Sequence, residues 1–127
     1  MYHQIKAEYY GDISTSAEIG LLQEPVMMKR KAKNITLPNG EKIKENRDID
    51  LQIMKRVLRA KFRNKEMEKL LLETGTKTLI ELNEYDSFFG VGLSLKSQNF
   101  DDKKNWKGKN NLGLLLMELR SERQKTS

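Results

Sequence analysis

The chain has no cysteine. Disulfides, thiolate nucleophiles and cysteine-held metals are therefore excluded, and the composition suits a reducing compartment such as the cytoplasm. It has one histidine, His3. A Ser/His/Asp relay would have to use that residue, and no nucleophile-elbow motif accompanies it. With neither a histidine nor a cysteine cluster, no metal site is expected, and no cofactor is called for. The acidic pair Asp101-Asp102 is flanked by Lys103-Lys104 and reads as a solvated loop rather than a hard-cation site. Long apolar runs are also missing: the longest, residues 114–117, is far too short to span a bilayer. The opening residues lack the basic and apolar regions of a signal peptide. No internal repeat or low-complexity segment is present.

What is abundant is charge. Lys and Arg number 24 against 18 Asp and Glu, a net charge of +6. A basic surface attracts phosphates, nucleotides and nucleic acid. The basic residues are dispersed rather than gathered into a tail, which argues against a disordered nucleic-acid-binding arm. The densest group is Lys29, Arg30, Lys31 and Lys33. It has two readings, a solvated helix face or a patch facing phosphates. At 127 residues the chain fits one domain with a real core.

Periodicity predicts mostly helix. Residues 2–10 read as one helix stopped by Gly11-Asp12, with Ile5 and Tyr9 on one stripe and Tyr2 and Lys6 at i, i+4 beside it. A helix so near the first residue has nothing before it to cap its free N–H groups, which hints at missing upstream sequence. Ser14 or Ser16 is expected to cap a short helix reaching Leu22, and Pro25 to open another. Pro38-Asn39-Gly40 marks a turn, with a short hairpin around Asn39-Gly40. A longer helix then starts near Asn46 or Asp48, with Leu51, Met54, Leu58 and Phe62 as its buried stripe, widened by Ile53 and Val57. Asn64 caps the next, with Met67, Leu70 and Leu71 apolar and Gly75 as the stop. Residues 78–82 and 88–95 are predicted as short strands, the second broken by Gly90 and Gly92. Asn110 or Asn111 opens a final helix with Leu112, Leu115, Leu116 and Leu119 as its stripe, and residues 124–127 are expected to be a disordered tail. The expected class is thus mainly α, or α+β with a few short strands, in a single domain.

Residues 85–120 are the stretch least explained by folding alone. Asp86, two phenylalanines, a Gly90-Val91-Gly92 turn, Trp106, Gly108-Lys109-Asn110 and a helix start follow in close order. That order describes a pocket more readily than a core. Taken separately the features are weak: a GxG lacks the third glycine of a dinucleotide fingerprint and suits any tight turn. Trp106 suits either a core anchor or a stacking platform for a base. Lys6 has two readings as well. Beside Tyr2 and Ile5 its amine would be partly desolvated and nucleophilic toward a sugar C1, or it simply snorkels past its apolar neighbours.

The run KAEYYGD, the helix ending AKF, then LLETG, YDSFFGVGL and WKGKNNLGLLLMELR together resemble the NADAR, or YbiA-like, family over nearly the whole chain. The last two motifs are the most specific. The resemblance implies a YbiA-like single domain, residues 1–127, that is short at its N-terminus. It implies an N-glycosidase that hydrolyses a ribose–base bond, with early riboflavin-pathway intermediates or ADP-ribose on guanine as substrates. By position, Lys6 corresponds to the family lysine proposed to form a Schiff base with ring-opened ribose. Asp86 corresponds to the family aspartate, an acid/base group or ribose orienter. Phe89, Gly90 and Gly92 fall in the same motif, and Trp106 and Asn110 belong to the substrate-binding segment. Phe89 stands where the family has tryptophan, which keeps stacking but loses the indole N–H donor. The family's glutamate upstream of the lysine has no counterpart here. The implied partner is a phosphorylated nucleotide-like small molecule or an ADP-ribosylated nucleic acid, with a separate N-terminal segment as a further partner and no membrane. Two alternatives stay open: a binding module for ADP-ribose or a nucleotide that no longer hydrolyses, and a small basic nucleic-acid-binding protein acting through Lys29–Lys33.

Overall fold

The computed structural model describes residues 1–126. Among them are six α-helices: α1 Tyr2–Tyr9, α2 Ile13–Gly20, α3 Pro25–Ala32, α4 Arg47–Lys61, α5 Lys65–Glu73 and α6 Asn111–Thr126. The fold is mainly α. Neither predicted strand forms, and the only ladder pairing among the described residues is the antiparallel bridge Thr36–Lys42. That bridge closes the turn foreseen at Asn39-Gly40: Leu37 N–H donates to Glu41 O, and Gly40 N–H to Leu37 O. Residues 78–82 and 88–95 stay irregular because their backbone groups bond to each other and to the start of α6 rather than to a strand partner.

The chain divides into two compact units, Met1–Val57 and Leu58–Ser127, with the division inside α4. In the first, α1 packs on α2 and α3, and Ala7, Ile19, Ile35 and Ile53 are its most buried apolar residues. Tyr9, expected on one stripe with Ile5, is half exposed. The cap of α2 is Asp12 rather than a serine: its Oδ1 accepts from Thr15 N–H at 3.0 Å, and its Oδ2 accepts from Thr36 N–H, also at 3.0 Å. One carboxylate thereby starts a helix and anchors the bridge. These bonds, the Thr15 hydroxyl first, hold the Asp12 pKa below the usual carboxylate range. Proline opens α3 as foreseen, and none of that helix is buried, so Lys29, Arg30 and Lys33 lie on an exposed face while Lys31 pairs with Glu18.

In the second unit α5 packs on α6. Asn64 caps α5 through Glu66 and Met67 N–H, as its sequence position predicts. Leu71 is the buried residue of α5, whereas Leu70 is 59 % exposed. Arg123 pairs with Glu68 and donates to Phe62 O, and Arg120, only 6 % exposed, donates to Thr74 Oγ1 and Lys77 O. The last helix continues to Thr126 through most of the expected tail; Ser127 lies outside the described residues. No helix among the described residues is long and apolar enough to cross a membrane.

Candidate functional site

In the first unit two cations converge on one buried residue, Asp50. It sits in the opening turn of α4, which Asn46 begins by accepting from Ile49 N–H. Asp50 heads the stripe that continues through Ile53 and Val57, and this helical spacing turns it inward. It is 2 % exposed. A carboxylate so far from water must be compensated by charge. Lys6 Nζ lies 3.1 Å from its Oδ1, and Arg47 Nη1 lies 3.2 Å from its Oδ2. The Tyr2 hydroxyl also bonds to Asp50. Tyr2 and Lys6 reach the same carboxylate because they are one turn apart on α1. The Lys6–Oδ1 contact is an ion pair by distance but not an aligned hydrogen bond, so charge rather than geometry holds the amine.

The surrounding titrations follow from this. Burial, reinforced by the Asp50 charge, pushes the Tyr2 hydroxyl far above its ordinary value, so it remains a donor. Tyr10 moves the same way, for burial first and Asp50 second. Burial pushes His3 down, with Lys6, the chain's amino group and Lys29 adding to the effect. Its Nδ1 is buried without a hydrogen-bond partner, and the ring stacks edge-on against Tyr2 at 5.3 Å. A neutral His3 adds no positive charge beside the Lys6 amine.

The second unit holds the glycine-rich motifs. Asp86 Oδ1 accepts from Phe88 N–H at 2.9 Å and Phe89 N–H at 2.8 Å, which shapes the turn. Phe88 and Phe89 pack edge to face at 4.8 Å, each 9 % exposed. Gly90 lies where a Cβ would stand 2.8 Å from Asp86 O and 3.0 Å from Glu81 O, and Gly92 has φ +71°. The first N–H groups of α6 do not point into open space: Asn111 N–H donates to Phe88 O, Leu112 N–H to Phe89 O and Asn110 N–H to Gly90 O. These donors are taken up by backbone carbonyls of residues 88–90. Glu81 is held above its ordinary value by burial and then by the Asp86 charge.

The sequence-predicted residues thus have distinct settings. Lys6 stands with Asp50, Arg47 and Tyr2 in the first unit; Asp86, Phe89, Gly90, Gly92, Trp106 and Asn110 belong to the second. Asn110 is 1 % exposed, with φ +54°; its Oδ1 accepts from Glu81 N–H and its Nδ2 donates to Leu79 O, both at 2.9 Å. Its amide therefore braces the 79–81 segment at both ends, where a ligand contact was expected. Trp106 is half-buried and donates through Nε1 to Phe100 O at 2.9 Å, so the indole is anchored by its own loop. An open hollow of about 540 Å³ in this unit is lined by Leu82, Glu84, Ser94, Leu95 and Lys96, none of them a predicted site residue. Sequence reasoning missed Asp50. Its signal was a carboxylate three and seven positions ahead of Ile53 and Val57, in register with an apolar stripe.

The protein is thus mainly helical and sets one lysine amine against a buried carboxylate. The NADAR domain model matches residues 1–123, and the chain belongs to that family. It is 36 % identical over 124 residues to the N-glycosidase YbiA of Shigella boydii serotype 4 (strain Sb227), covering 94 % of this chain and 67 % of that protein. The N-glycosidase YbiA of Escherichia coli (strain K12) is 34 % identical over the same coverage. The N-glycosidase R617 of Acanthamoeba polyphaga mimivirus is 42 % identical over 67 residues, 52 % of this chain and 39 % of that protein. The chain thus spans about two thirds of the length of the YbiA relatives. No solved structure matches it.

Proposed function

We propose that this protein is an N-glycosidase that hydrolyses the bond between ribose C1 and a base nitrogen in phosphorylated ribosyl or ADP-ribosyl compounds. Family membership and the N-glycosidase relatives support the reaction class. The observation that carries it to this chain is the Lys6 amine, 3.1 Å from a buried carboxylate and only 22 % exposed.

The chemistry needs an acid to let the base depart and a nucleophile to hold C1. In this reading the sugar ring opens, Lys6 Nζ bonds to C1, and the C1–N bond to the base breaks as the base nitrogen takes a proton. Water then adds to the C1 imine and displaces Lys6, so one water is consumed and free base and free sugar leave. By motif position alone Asp86 is assigned as an acid/base or ribose-orienting group; its Oδ1 is engaged by the Phe88 and Phe89 N–H groups. The same motifs assign Phe89 and Trp106 to flank the base, and Gly90 sits where a Cβ would stand 2.8 Å from Asp86 O. Asn110, whose amide is engaged with Glu81 N–H and Leu79 O, contributes by shaping this region.

The test is incubation with ADP-ribosylated guanosine and with ribosylated pyrimidine intermediates of the riboflavin pathway, followed by detection of released base. Release is expected, and Lys6→Ala should lower it at least about 100-fold. Undiminished release by Lys6→Ala would remove the amine from the mechanism. Tight calorimetric binding of ADP-ribose with no release from any substrate would make the protein a binding module instead.

A further inference from the structure

We propose that Asp50 and Arg47 form a positioning pair that sets when the Lys6 amine gives up its proton, Asp50 holding the ammonium in place and Arg47 keeping the carboxylate compensated once that ammonium becomes neutral. The inference rests on the reading of Lys6 as the nucleophile and adds residues for which the motifs provide no role.

An amine attacks carbon only as the neutral base. A lysine paired with a buried carboxylate alone is poorly suited to that, because losing the proton would strand an uncompensated charge away from water. The structure supplies a second cation. Arg47 Nη1 sits 3.2 Å from Oδ2 of Asp50 while Lys6 Nζ sits 3.1 Å from Oδ1, so each oxygen has its own partner. Arginine does not deprotonate at any accessible pH. When Lys6 becomes neutral, Asp50 still faces a fixed positive charge and the hydroxyl of Tyr2.

The other groups facing this cluster do not compete for the role. On α1 and at its C-terminal cap the Tyr2 and Tyr10 hydroxyls are pushed upward by burial and stay protonated, and His3 is pushed downward and stays neutral near pH 7. On α3 Lys29 contributes a positive charge felt at His3. Beyond Arg47 the Glu45 carboxylate lies 3.1 Å from Nη2, which ties the guanidinium down on its outer side. Among these, Asp50 is the anion paired with the amine and Arg47 the cation that remains.

Opposite charges should move the Lys6 titration in opposite directions. Asp50→Asn removes the anion and leaves the Arg47 charge, which favours the neutral amine. Arg47→Gln removes the cation and leaves Lys6 as the main counter-charge of Asp50, which favours the ammonium. The readout is the pH dependence of Lys6 modification by acetic anhydride in the folded protein, followed by mass spectrometry of the peptide that carries it. The midpoint is expected to move down in Asp50→Asn and up in Arg47→Gln, by about half a unit or more each. The acid limb of hydrolysis should shift with it. Midpoints that stay put, or that move in the same direction in both variants, would overturn the proposal; a purely structural pair would lower yield or melting temperature without this sign reversal. Labelling needs no turnover. Opposite shifts in an inactive protein would therefore leave the pair standing and sink only the hydrolase reading. Should Asp50→Asn fail to fold, Arg47→Gln, altering a residue whose side chain is 50 % exposed, decides alone by moving the midpoint up or not.

Discussion

At the residue scale, the chain concentrates unusual protonation on α1. His3 is half-buried, its Nδ1 has no partner, and its pKa is pushed down chiefly by burial. An unfolded imidazole takes up a proton below about pH 6.5. The folded one resists until lower pH, so in that window the unfolded state binds more protons and stability falls as pH falls. The stabilisation is fully present above that range. Urea melts between pH 7.5 and 5 should show a declining midpoint, and His3→Gln should flatten the decline. An equally steep decline in the variant would assign it to other groups, Asp12 not among them, because its depressed pKa acts only at more acidic pH.

At the element scale, α6 is set by backbone contact as well as by its apolar stripe. Leu115 and Leu119 of the predicted stripe are buried, and Leu114, which lies off that stripe, is 54 % exposed. What seats the helix is Gly113, where a Cβ would fall 2.2 Å from Leu79 O and 2.4 Å from Asn110 Nδ2. Gly108 is equally tight, 2.3 Å from Gly90 O. Those atoms are backbone, or side chain already spent on bracing it, and cannot swing aside. Gly113→Ala is thus expected to cost about 3 kcal/mol or more even though alanine is the better helix former. Chemical denaturation measures this. A neutral or stabilising result would show that α6 seats differently. The glycines of these motifs let three backbone segments lie against each other.

At the scale of the whole molecule, a net charge of +6 is spread over many elements. The α3 cluster provides Lys29, Arg30 and Lys33 as exposed cations, while Lys31 is paired with Glu18. Three phosphate contacts correspond to a slope of about −3 in log affinity against log salt. Fluorescence anisotropy with a random duplex should give a slope no steeper than that, and replacing the three cations by Gln should flatten it. A much steeper slope would favour the nucleic-acid-binding alternative.

The order of helices, the caps at Asn46 and Asn64, the turn at Gly40 and the family motifs were all determined by the sequence, because each depends on residues within a few positions of one another. The missing strands, the role of Asn110 and the meeting of Lys6 with Asp50 were decided only by tertiary structure. Asn110 reaches residues 29 and 31 positions away, and α1 meets α4 across two intervening helices. Burial and partnership at such range depend on which surfaces the folded chain brings together, which no local pattern encodes.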